Sequence, residues 1–333
     1  MPSADPVDRR IRASADLIDA LASRLTDRDR YLCRMLHEHR VLTVAQIAEL
    51  AFDSVTAAQH RLVILYRHRL VERFRPFRPT GSAPYHYVLD RGGATVLADE
   101  QGIDVDRLDY RRSKALGLAT SQRLGHLVAA NGFFTALAAQ ARHTGRYGEL
   151  AAWWSEARCG RAWGYHARPD GYGRWRYGDT ISPFFLECDM GTEPHKRLIA
   201  KLADYATLAE ATQSGSDIDT ADTTLLLWFH SSAREGAFHL RVRHANIPVA
   251  TATAAPGRNP AATIWRRLGD PDTHRLALHT ALYRPPRKVS EYDARVRSWQ
   301  LASNIHHAAE TAVDPTWPPR PSDPHAEVEL IWD

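Results

Sequence analysis

The chain has 333 residues and little cysteine, methionine or lysine. Its three cysteines, Cys33, Cys159 and Cys188, sit in apolar contexts and form no Cys-x-x-Cys pair. That argues against a disulfide framework and a zinc knuckle, and it fits a reducing cytoplasm. No run approaches the ~20 apolar residues that a membrane span requires. Met1–Ile11 is polar and charged, so no secretory signal is expected. Internal repeats are absent. Of 43 basic residues only Lys114, Lys196, Lys201 and Lys288 are lysines. Arginine stays charged and forks to phosphate, whereas lysine is a compact point charge whose pKa moves readily. Two of the four lysines, Lys196 and Lys201, share one stretch behind an acidic strand. The plainer alternative is a solvated helix face. The net charge of +4 permits nucleic-acid binding without requiring it.

The most informative stretch is Arg168–Tyr205. Ile181–Asp189 is short, apolar and bounded by Gly178-Asp179 and Gly191, which predicts a strand. Alternation puts Glu187 and Asp189 on one face, with Leu186 and Cys188 on the other. Two adjacent carboxylates repel, and each raises the other's pKa unless a cation neutralises them. Asp170 precedes a glycine turn and can reach the same strand end through a hairpin. Hard carboxylate oxygens suit Mg²⁺ or Mn²⁺, giving Asp170, Glu187 and Asp189 as metal ligands. Glu156, expected on a strand at Leu150–Cys159, is a further candidate acid; its alternative is an ion pair. On a helix at Pro194–Ala211, Lys201 shares a face with Arg197 and Tyr205, and Lys196 lies about 140° away.

Upstream, Thr26 is an expected N-cap, followed by acids in the first turn. Thr43 can cap a second helix, Val44 to Phe52, and a third runs from Ser54 to Arg69. Strands are expected at Leu70–Phe77 and Tyr85–Leu89. Three short helices and a hairpin make the winged-helix pattern, whose third helix enters the major groove while the hairpin touches the backbone. Arg61, Arg67, Arg69, Arg73, Arg75 and Arg78 cluster there against one acid, Glu72. Such a stripe is the footprint of phosphate neutralisation, and its partner would be double-stranded DNA. Outward positions of the third helix are Thr56, Gln59, His60, Val63 and Arg67, with Gln59 able to read an adenine edge.

Further along, Arg91–Glu100 reads as a helix and Gln101–Ala119 as a basic connection that could track a DNA backbone. A long helix is expected over Ser121–Thr144, with His126 a core histidine near its apolar stripe. Strands follow at Arg168–Trp175, Thr223–His230, Phe238–Arg243 and Val249–Ala254, then short helices at Ala261–Leu268 and Asp272–Leu282. From Tyr283 the chain is rich in proline and charge, which predicts an extended tail. The expected organisation is a lead-in helix (1–25), a winged helix-turn-helix (26–100), a linker (101–120), an α/β domain (121–283) and a tail (284–333).

The strand order with Pro169-Asp170 on one strand and Glu187 on the next is similar to the PD-(D/E)xK nuclease-like fold. That resemblance implies a divalent metal on the two acids and a lysine beside the attacking water. Where the pattern has lysine two residues after the acid, this chain has Asp189; Lys201 on the following helix could substitute. The chain also resembles the replication-relaxation family of actinobacterial mobile elements. The carrying words are Leu42-Thr43-Val44-Ala45-Gln46-Ile47, Arg61-Leu62, Gly81–Asp90, Arg168-Pro169-Asp170-Gly171 and Glu187–Glu193 leading to Lys201 and Tyr205. The resemblance implies a role in replication or transfer, with other proteins of that process as further partners and an oligomer allowed. Two functions follow: a metal-dependent DNA nuclease or nickase, or a DNA-binding accessory or regulator with a degenerate nuclease fold. A protein-binding scaffold is weakened by the arginine stripe.

Overall fold

A computed structural model describes residues 25–144, 148–164, 166–212, 223–270, 274–282 and 299–316. The expected lead-in helix lies outside them. The first element is α1 (Asp27–His39), opened by a capping box in which Thr26 and Asp29 satisfy each other's backbone N–H. β1 (Leu42–Thr43) leads into α2 (Val44–Ala51), which repeats the device with Thr43 and Gln46. α3 (Val55–Arg67), β2 (Val71–Phe74) and β3 (His86–Leu89) complete the N-terminal unit. Its antiparallel sheet has the order β1-β3-β2.

Between the two sheets come α4 (Arg91–Glu100), a 3-10 turn at Val105–Leu108, α5 (Arg112–Leu116) and a second 3-10 turn at Gly117–Thr120. The sequence reading made most of this a basic connection. It is packed instead, because Leu108 and Leu118 are buried and Arg112 donates to Glu72 Oε2 at 2.7 Å.

The second sheet has six strands in the order β4-β5-β6-β7-β8-β9. They are β4 (Glu149–Ser155), β5 (Gly171–Tyr177), β6 (Thr180–Asp189), β7 (Thr224–Phe229), β8 (Val249–Thr253) and β9 (Arg266–Arg267). β4, β5 and β6 pair antiparallel, β6-β7-β8 pair parallel, and β9 closes antiparallel. β7 is buried throughout, as a strand covered on both faces must be. α6 (Leu124–Thr144) covers one face with Phe133, Phe134 and Leu137. α7 (Glu156–Trp163), α8 (His195–Thr212) and α9 (Ser232–Arg241) cover the other. Phe134 stacks on Trp153 with ring centres 5.0 Å apart. That approach needs bare backbone on β5. A Cβ on Gly171 would stand 2.5 Å from the Phe134 ring, and one on Gly173 2.3 Å from the Phe184 ring.

α6 also packs on α2, so the core of the N-terminal unit runs without a break into the sheet. Gln46 Nε2 donates to the Val128 carbonyl at 2.8 Å across this seam. A second tie is polar and buried. Arg158, near the start of α7, donates to Glu38 of α1 through Nε (2.8 Å) and Nη2 (2.7 Å). The same guanidinium holds the carbonyls of Ala308 and Thr311.

Four further expectations fail. Strand β4 stops at Ser155, whose hydroxyl caps α7, so Glu156 opens a helix. Phe238–Arg243, expected as a strand, lies mostly in α9, capped by Ser231, with Phe238 buried in its inner face. Ala261–Leu268 is a loop ending in β9, and only α10 (Leu278–Leu282) of the second expected helix forms. The tail contains α11 (Trp299–Glu310), with Ile305 and Ala308 buried. Among the described residues no helix is long and apolar enough to cross a membrane.

Candidate functional site

The end of β6 carries the acidic cluster because its two faces have different covers. Phe184, Leu186 and Cys188 enter the α6 side, while Phe185 meets Tyr205 of α8 at 5.1 Å between ring centres. Glu187, two residues on, faces α8 as well. Its Oε2 accepts from Lys201 Nζ at 2.6 Å and its Oε1 from the Tyr205 hydroxyl at 2.7 Å. Lys201 and Tyr205 are one helical turn apart, so both reach one carboxylate. Lys196 is exposed on another face.

Asp170 arrives from the loop before β5. Its N–H donates to the Leu186 carbonyl at 2.9 Å, and its Oδ2 accepts from the Cys188 N–H at 2.7 Å. Its Oδ1 pairs with His126 Nε2 at 2.8 Å. His126, read from sequence as a core histidine, therefore lines this site. Asp189 shares the face of Glu187, but its Oδ2 accepts from Arg234 Nε (2.6 Å) and its Oδ1 from the Gly191 N–H (2.7 Å). Glu156 pairs with Arg123. All five acids and bases named from sequence, Asp170, Glu187, Asp189, Lys201 and Glu156, border one cavity of about 510 Å³. Arg168, Arg197 and Arg234 complete its rim.

The electrostatics are uneven. Burial and the neighbouring Asp170 push the Glu187 carboxyl up to about 7, against the pull of Lys201 and the Tyr205 hydroxyl. Burial opposes the charge on Lys201, but Glu187, its hydrogen bond and Asp170 together raise it. The Asp170 hydrogen bond raises His126 against the effect of burial. The cluster thus strains to hold two negative charges close together.

Asp170 and Glu187 offer the hard oxygens that Mg²⁺ or Mn²⁺ prefers, and Mg²⁺ is commonly held by one or two carboxylates plus water and phosphate. Their mutual repulsion fits them to such an ion. Asp189, on the same strand end, has its oxygens engaged in the same way, by Arg234 and the Gly191 N–H. Among the described residues no three His, Cys, Asp or Glu side chains are grouped to hold a metal.

On the N-terminal unit, Thr56, Gln59, His60 and Arg67 are exposed along α3. Arg61 turns inward, its Nε 2.8 Å from Oδ1 of buried Asp29. Arg69 likewise donates to buried Asp90 at 3.2 Å. Arg73 lies over the rings of Tyr66 and Tyr85, both 4.3 Å away, and Arg75 lies 3.8 Å from Tyr85. Arg78 is exposed. Beside it Phe77 is 91% exposed at the hairpin tip.

The family model described as replication-relaxation matches residues 33–219, more than half of the chain. No curated protein and no solved structure matches.

Proposed function

The chain belongs to the replication-relaxation family, and from that premise we propose that it binds duplex DNA through its N-terminal unit and hydrolyses phosphodiester bonds at Asp170 and Glu187. The family points to DNA or replication-related partners and to work on plasmids or other mobile elements. The observation that carries the catalytic reading is Lys201 Nζ lying 2.6 Å from buried Glu187, whose carboxyl is pushed to about 7 beside Asp170. In the PD-(D/E)xK arrangement an ammonium group stands in that relation to the acid, here delivered from α8 rather than from β6.

Asp170 and Glu187 would hold the divalent ion, which when bound supplies a polarised water and a clamp on phosphate. The rest falls to the chain's own groups. Lys201 orients the attacking water and steadies the phosphate's charge. Tyr205 fixes the Glu187 carboxylate from the other side, and His126 fixes Asp170. Arg168 and Arg197 at the rim draw in the phosphate backbone. Arg234 keeps Asp189 occupied, so Asp189 shapes the strand end.

The three helices and β2–β3 hairpin fit a winged helix. Thr56, Gln59, His60 and Arg67 face outward from α3 to meet the groove, with Arg73, Arg75 and Arg78 on the backbone. Arg61 serves the fold through Asp29 and is removed from that interface.

A cleavage assay on supercoiled and branched DNA with Mg²⁺ or Mn²⁺ tests the reading. Wild type should cut, Asp170→Ala and Lys201→Ala should not, and both variants should still bind duplex. Cutting by Lys201→Ala, or none by wild type with either metal, defeats it. The second reading, a non-catalytic DNA-binding accessory, is favoured by one observation: both carboxylates already carry side-chain partners, Lys201 and His126.

A further inference from the structure

The acidic cavity shares a wall with a second cavity, and that one with a third. A cavity of about 320 Å³ shares Arg123, Glu156 and Arg168 with it. That middle cavity in turn shares Glu38, Arg40, Ser155, Ala157 and Arg161 with a third, of about 500 Å³, bordered by Arg107, Arg111 and Lys114. The three walls form one groove running from the segment between the sheets, across the joint of α1 and α7, to Asp170 and Glu187. Its charge is one-sided. Glu38 and Glu156 are neutralised by Arg158 and Arg123. The guanidinium groups of Arg40, Arg107, Arg111, Arg161 and Arg168 make no hydrogen bond or ion pair with another described residue. Lys114 has one loose pair, 3.6 Å from Asp109.

Arg40 stands at the centre of this groove in a backbone conformation that arginine disfavours. Its φ is 68° and its ψ −40°. The Val41 N–H donates to the His39 carbonyl at 2.8 Å, which makes the turn a γ-turn of the rare, strained hand. Asn131 of α6 holds the turn in place, donating to the carbonyls of His39 (3.2 Å) and Val41 (2.7 Å). Glycine would adopt this φ at no steric cost. A strained residue over-determined by its surroundings points to a use for its side chain, and here that side chain is an unpaired guanidinium in an electropositive groove.

We infer that the groove binds single-stranded nucleic acid, its phosphates following Arg111, Arg107, Arg40, Arg161 and Arg168 into the acidic cavity. The inference rests on the reading of that cavity as a phosphodiester site. A duplex displays its phosphates on a broad convex surface and does not enter concavities of this size. A single strand does, and a cationic groove along its backbone is how such strands are held. The substrate presented to Asp170 and Glu187 is then a separated strand, while the N-terminal unit holds duplex.

The test uses the full chain and two fluorescein-labelled probes, an oligothymidylate of about 12 nucleotides and a duplex of equal length. Arg40→Gly and Arg161→Ala should each weaken oligothymidylate binding and lower its salt slope by about 0.7, with duplex affinity unchanged. Arg40→Gly should melt at or above the wild-type temperature, because the strained turn is relieved; loss of binding with no loss of stability separates contact from misfolding. Unchanged oligothymidylate affinity and slope in both variants, or equal losses on both probes, overturns the groove. Asp170→Asn should keep oligothymidylate binding. If wild type cuts nothing but the arginine changes still weaken oligothymidylate binding selectively, the groove stands and the catalytic reading alone falls.

Discussion

Two buried glutamates, Glu38 of α1 and Glu187 of β6, are each paired with a cation, and their acidities diverge. Glu38 is opposed by burial but is held down at about 2 by Arg158, the neighbouring His39 and the Ser155 hydroxyl. Glu187 is pushed to about 7 by burial and Asp170, although Lys201 and Tyr205 both donate to it. The difference lies in what surrounds each pair. Arg158 meets Glu38 with two forked N–H bonds, a geometry that satisfies both oxygens. Lys201 brings one ammonium to a carboxylate that has a second carboxylate beside it. The first pair is complete and belongs to architecture. The second has surplus negative charge, which a cation would relieve.

The sharpest way to break the comparison is to remove one partner of the complete pair. Arg158→Ala should cost about 3–5 kcal/mol, the loss expected when a buried charge is left unpaired, measured by urea unfolding. Replacing both partners, Glu38→Leu with Arg158→Met, should restore most of it. Removing the carboxylate of the strained pair should have the opposite sign: Glu187→Gln should stabilise the metal-free protein at pH 8 while ending cleavage.

The pH dependence sharpens the same contrast. Glu38 is lowered from 4.5 to about 2, so its contribution is present above 4.5 and fades as pH falls toward 2. His39, buried against Trp153 with ring centres 3.5 Å apart, is lowered from 6.5 to about 3 by burial. Its neutral form is the folded one, so its contribution is lost as pH falls from 6.5 toward 3. Glu187 is raised from 4.5 to about 7, so its contribution is present below 4.5 and is lost as pH rises toward 7. Unfolding midpoints of Glu187→Gln against pH should therefore rise more steeply than wild type between 4.5 and 7. A parallel pair of curves would show that Glu187 is an ordinary acid.

Added Mg²⁺ should raise the melting temperature of wild type, a stabilisation of about 3 kcal/mol at a hundredfold excess over its dissociation constant. Asp170→Asn should lose that shift. The smallest effect on stability belongs to the hairpin: Arg73→Ala and Arg75→Ala should change it by no more than about 0.5 kcal/mol. Each should nonetheless lower the salt slope of duplex binding by about one unit.

Much of this was legible where a local signal sufficed. Thr26 and Thr43 announce their helices because a capping box is a four-residue motif. The side choice of Glu187 and Asp189 follows from strand period, and the shared face of Lys201 and Tyr205 from helix period. The reading failed where a residue's partner was distant or its signal was double. Ser155 both ends a strand and caps a helix, so Glu156 was carried onto the wrong element. Phe238, Leu240 and Val242 alternate like a strand, and only Ser231 with Glu235 behind it marks α9. His126 lies near an apolar stripe, and nothing local says that it meets Asp170, 44 positions on. Arg234 takes Asp189 across 45 residues, a pairing that only the parallel crossover creates. α11 was hidden by the prolines around it.

α6 has one flank on α2 and the other on β4, so neither unit has a face that could be left bare. A crossover that exchanged residues 26–100 for those of another element would leave Phe133 and Phe134 against a stranger's surface. The N-terminal unit and the part that holds the acids are therefore tied together as one piece. If the N-terminal unit binds DNA as proposed, new target preferences would arise by altering side chains on α3 and the hairpin, not by trading modules.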